Sequence, residues 1–113
     1  MSGDPDVEAV AGVLEDECAR CILVQAREEP MSANDLTERC DASDATVYRR
    51  LSDLAEYDLV VERTRPDADG HHHKVYRSNL RRVTVEVTDE GFAVELDRRE
   101  TMADRFTRFV EEF

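Results

Sequence analysis

Glycine is scarce in this chain, four residues in 113 and no cluster among them, so no glycine-rich loop exists to cradle a nucleotide phosphate. No Ser or Cys nucleophile stands at a recognisable spacing from a base and an acid. Catalysis is therefore not expected, and no cofactor or small-molecule ligand is implied. Long apolar runs are missing as well. Nothing approaches the roughly 18 residues that a membrane span needs, and the opening MSGDPDVEAV lacks the basic and apolar regions of a signal peptide. The expectation is a cytoplasmic chain with no membrane contact. Three cysteines are too few for a disulfide framework. Lysine is nearly absent: of 15 basic residues only Lys74 is a lysine.

What replaces these is acid. Asp and Glu number 27, for a net charge of −12. An acidic surface almost without lysine suits solubility in molar salt, because net charge governs solubility and association rather than fold. The charge is unevenly spread. From Thr46 to Arg82 eight bases face six acids, a net +2, which leaves −14 on the remainder. A mildly basic segment inside an acidic chain marks a candidate face for a polyanion.

That segment begins inside the stretch on which the chain is organised, Met31 to Leu59. Ser32 with Asp35 three residues on is a capping-box pattern, predicting a first helix over Ala33 to Cys40. Asp41 tolerates the left-handed backbone of a tight turn. Ser43 then caps a second helix of about Asp44 to Tyr57. On it Val47, Leu51 and Leu54 form one apolar stripe, which turns Ala45, Thr46, Arg49, Ser52 and Asp53 outward and leaves Tyr48 and Arg50 on the flanks. Hydroxyls at a helix N-terminus with arginines one turn later suit DNA: Ser43 and Thr46 for phosphates, Arg49 for the guanine edge. A plain helical hairpin with solvated arginines is the bland alternative.

The run SDATVYRRLSDLAEYDLVVERTRPDADGHHHKVYR resembles the recognition helix and wing of ArsR-like winged helix-turn-helix regulators, in particular the small ones of halophilic archaea, over roughly 31–77. The resemblance implies that Ser43, Thr46, Tyr48, Arg49 and Arg50 enter the major groove and that 60–78 form the wing. The Cys-x-Cys pair of many metal-sensing relatives is missing, so metal sensing by that route is not implied.

The flanks are predicted in turn. One long helix is expected over Val7 to Arg27, striped by Val10, Leu14, Cys18 and Cys21 and ended by Pro30. Cys18 and Cys21 with Cys40 are read chiefly as small core hydrophobes, with redox sensing as the sharper reading. After the second helix, Leu59 to Arg65 has strand composition, Pro66-Asp-Ala-Asp-Gly70 is turn chemistry, and the return strand is His71 to Ser78. Arg63, Arg65 and Lys74, with His71 and His73 on one face, are the wing's candidate DNA contacts; no acid or thiol at ligand spacing suggests a metal. A second hairpin is expected over about 82–97, with Phe92, Val94 and Leu96 on one face. A terminal amphipathic helix, about 101–113, carries Phe106, Phe109, Val110 and Phe113 as a dimerisation stripe.

The expected fold is thus one α+β, mainly helical domain over 1–113: a helix-turn-helix at about 32–57, a wing at about 59–78, an additional hairpin and a terminal helix. The expected function is a homodimeric, sequence-specific transcription regulator on double-stranded DNA with a palindromic site, with redox-responsive thiols as a further expectation. The competing reading is a winged-helix module that docks other proteins in a transcription or replication complex.

Overall fold

The computed structural model describes residues 5–111, apart from the side chains of Met102, Arg105, Arg108 and Phe109. Five helices and two hairpins follow one another: α1 Val7–Glu15, α2 Glu17–Gln25, α3 Ala33–Cys40, α4 Asp44–Glu56, β1 Val60–Pro66, β2 His72–Ser78, β3 Leu80–Thr88, β4 Gly91–Arg98 and α5 Met102–Glu111. Each hairpin is its own antiparallel two-stranded sheet. The class is α+β and mainly helical, and the two short helices α3 and α4 and the hairpin after them fall where the sequence predicts them.

The core lies where α2, α3 and α4 meet the base of the wing. Ile22, Leu36, Val47 and Leu54 are fully buried there, joined by Leu51, Leu59, Val60 and Tyr76. The i, i+4, i+7 stripe on α4 is thus its buried face, and its opposite face is left to solvent. A bridge ties the α2–α3 connection to the wing: Met31 N–H donates to the Tyr76 carbonyl at 2.9 Å and Tyr76 N–H to the Met31 carbonyl at 2.7 Å. This short third strand segment is not signalled by any run of strand formers.

The single long first helix is corrected to two. Asp16 sits in extended backbone, ending α1 and capping α2, and its carboxylate accepts from Ala19 N–H at 2.7 Å. Arg20 reaches back to donate to the carbonyls of Leu14 and Glu15, which α1 leaves without helical partners. The break also changes the stripe. Ala19 and Ile22 are buried, whereas Leu14 and Val24 are 40% and 67% exposed. Asp16→Ala should cost about 1–2 kcal/mol in urea denaturation and Asp16→Asn clearly less, since Asn caps nearly as well; equal losses would show that the cap is not what Asp16 supplies.

Beyond the wing, Asn79 anchors the second hairpin. It is buried, its side-chain amide donates to the carbonyls of Asp58 and Glu100, and its side-chain oxygen accepts from Glu100 N–H. The hairpin then runs outward. Val83, Val85 and Val87 face Leu96, Val94 and Phe92 in register, and the face is partly covered near the core but open towards the tip, where Val87 and Phe92 are 72% and 63% exposed.

Candidate nucleic-acid interface

The helix-turn-helix is held by the contacts its sequence announces. Ser32 and Asp35 complete a capping box, Asp41 takes the left-handed conformation at φ 50 and ψ 50, and Ser43 caps α4 by accepting from Thr46 N–H at 3.1 Å. The Ser43 hydroxyl also donates to Thr46 Oγ1 at 2.9 Å. Two hydroxyls therefore stand together at the positive end of α4, the place where a phosphate is favoured. One turn on, Tyr48 is 57% exposed, and Arg49 is exposed with no ion pair or hydrogen bond among the described residues.

Arg50 departs from its expected place at the DNA. Its guanidinium turns back towards the α1–α2 joint, with Nε 3.1 Å from Asp16 and Nη1 2.9 Å from Asp53. Burial opposes its charge, but Asp16 and Asp53 outweigh that and hold it firmly protonated. It serves to fix α4 against α2. Arg63 departs as well: it pairs with Glu100 at 2.6 Å at the base of the wing, because its face of the sheet carries buried Val61 and Val75 rather than solvent.

The rest of the wing is exposed. Arg65 lies opposite His73 in the register and has no neighbour of opposite charge among the described residues, whereas Lys74 has Glu62 at 3.5 Å and His73 has Asp67 at 3.8 Å. At the tip Asp67 Oδ1 accepts from the N–H groups of Asp69 and His71, and Gly70 supplies the required positive φ of 82. The turn thereby brings acids to the histidines: ligand atoms of Asp67, Asp69 and His71, an Asp-x-Asp-x-His spacing, lie within 4.8 Å of one another, all exposed. The turn's own hydrogen bonds explain that cluster.

The cysteines are corrected. Cys21 on α2 and Cys40 at the end of α3 form a disulfide, with Cα atoms 5.8 Å apart and a sequence separation of 19. They face one another because α2 and α3 pack side by side, a relation that the sequence separation does not reveal. Cys18 remains a free, half-buried thiol. Burial and then the nearby Asp16 raise its pKa, which lowers its reactivity.

Of the expected dimerisation stripe, Phe106 and Val110 lie on α5 and are 67% and 52% exposed. Phe113 and the side chain of Phe109 lie outside the described residues. Among the described residues no helix is long and apolar enough to cross a membrane.

The HVO_A0261 N-terminal domain family matches residues 8–73 of the chain, from α1 through the helix-turn-helix to the first residues of β2. No curated protein matches.

Proposed function

The chain belongs to the HVO_A0261 N-terminal domain family, and we propose, from the outward face of α4, that it is a sequence-specific, ArsR-like DNA-binding regulator that acts as a homodimer in the cytoplasm of a salt-loving cell. The observation that carries this reading is the division of labour among the arginines. Arg50, Arg63, Arg81 and Arg82 are paired with acids, whereas Arg49 projects from α4 beside Thr46 and Tyr48 with its charge uncompensated among the described residues. A protein of net charge −12 that leaves a guanidinium free one turn into a capped, exposed helix has the parts for reading a guanine edge.

The dimer follows from two considerations. Exposed Phe106 and Val110 on α5 and the open tip of the second hairpin are costly to leave in water. Paired recognition helices about one helical turn apart also match a palindrome. In molar salt counterion release contributes little, so base contacts and shape carry the discrimination. Arg49→Ala should cost about 1–3 kcal/mol at one base position and relax preference there, whereas Arg65→Ala on the wing should weaken binding evenly across sequences. Fluorescence anisotropy against a panel of single-base operator variants distinguishes these; even losses for both variants would contradict base reading by Arg49, and DNA binding untouched by Arg49→Ala favours instead a module that docks proteins.

A further inference from the structure

A second basic feature lies away from α4. At the base of the wing a cavity of about 510 Å³ is lined by Pro30, Val61, Arg63, Arg77, Ser78, Asn79, Arg99 and Glu100. Three guanidiniums reach it from three segments: β1, β2 and the link between β4 and α5. Only one carboxylate accompanies them. Glu100 pairs with Arg63, Arg99 donates to the Arg27 carbonyl, and among the described residues neither Arg99 nor half-buried Arg77 has an acidic partner. Two uncompensated positive charges in one concavity, on a chain of net charge −12, are not what solubility in salt requires.

We propose that this cavity binds a small multivalent oxyanion, inorganic phosphate or a phosphate monoester. Arginine forks suit the geometry of phosphate oxygens. Pro30 and Val61 give the cavity an apolar wall against which a short organic body can lie. Binding would join the two sides of the cavity, the wing through Arg77 and the β4–α5 link through Arg99. The binding does not depend on the DNA reading; only a consequence for DNA affinity would.

The test is a titration of the full chain with inorganic phosphate, without DNA and at fixed ionic strength set by chloride, followed by amide NMR shifts. Saturable shifts at Arg77, Asn79 and Glu100 are expected. Arg77→Ala should weaken binding by about tenfold or more, the worth of a charged hydrogen-bond pair, while Arg65→Ala, an equal loss of charge outside the cavity, should leave it within about twofold. Glu100→Gln should tighten binding by freeing Arg63, a gain that a damaged fold cannot mimic. Shifts that never saturate, or equal weakening by Arg65→Ala and Arg77→Ala, would overturn the site. So would phosphate that leaves the cavity amides unmoved while Arg77→Ala weakens DNA binding, which would assign Arg77 to the DNA backbone.

Discussion

Reduction of the Cys21–Cys40 disulfide by a dithiol should lower the stability of the protein by about 3 kcal/mol, on the order of 10 °C in Tm. The bond closes a loop with 19 residues of sequence separation, and its largest effect is to restrict the unfolded chain. Its position adds a local consequence. Cys40 is the last residue of α3 and immediately precedes Asp41, whose left-handed conformation aims α4. Loss of the bond frees the end of α3 from α2, so DNA affinity should fall together with stability. Calorimetry with and without reductant, beside a Cys21→Ser/Cys40→Ser double variant that should match the reduced protein and ignore reductant, checks both parts. A double variant as stable as the oxidised protein would remove the disulfide from the account, and one that still responds to reductant would move attention to Cys18.

Asn79→Ala should cost about 3 kcal/mol or more. The change deletes three part-buried hydrogen bonds, to the carbonyls of Asp58 and Glu100 and from Glu100 N–H, each worth about 1 kcal/mol or more where water does not replace it. Asp58 is itself in the left-handed region at φ 60, so its carbonyl is held in place by the turn after α4 and cannot readily find another donor. The loss should be selective in space. Hydrogen exchange should rise first in β3, β4 and the link to α5, while α3 and α4 keep their protection. Uniform loss of protection would show instead that the second hairpin is indispensable to the core.

The disulfide and the Asn79 anchor also mark the limits of what the sequence discloses. The helix-turn-helix was legible because its signals are local: Ser32 with Asp35, Asp41 at the turn, Ser43 before α4, and Val47, Leu51 and Leu54 on one stripe. Each acts within four residues, and the structure places each as expected. The wing was legible for the same reason, through β-branched strands around Pro66 to Gly70. The break at Asp16 was locally signalled too, by an N-capping residue before Glu17, but the apolar stripe running through it suggested continuity. The contacts that differ are long-range. Cys21 meets Cys40 across two helices, Arg63 meets Glu100 across both hairpins, and Arg50 turns to Asp16 because α4 crosses the α1–α2 joint. Helical periodicity placed Arg50 on a flank, and a flank residue can go either way; the acid on the neighbouring helix decides it.

The outward face of α4 is tested most directly by sequencing genomic fragments retained by the purified protein in molar salt, with Arg49→Ala in parallel. The prediction is a palindromic motif whose half-sites lie about one helical turn, roughly 10 base pairs, apart, enriched by the native protein and lost or blurred at one base of each half-site in the variant. No motif with the native protein, or the same motif undiminished with Arg49→Ala, would contradict it.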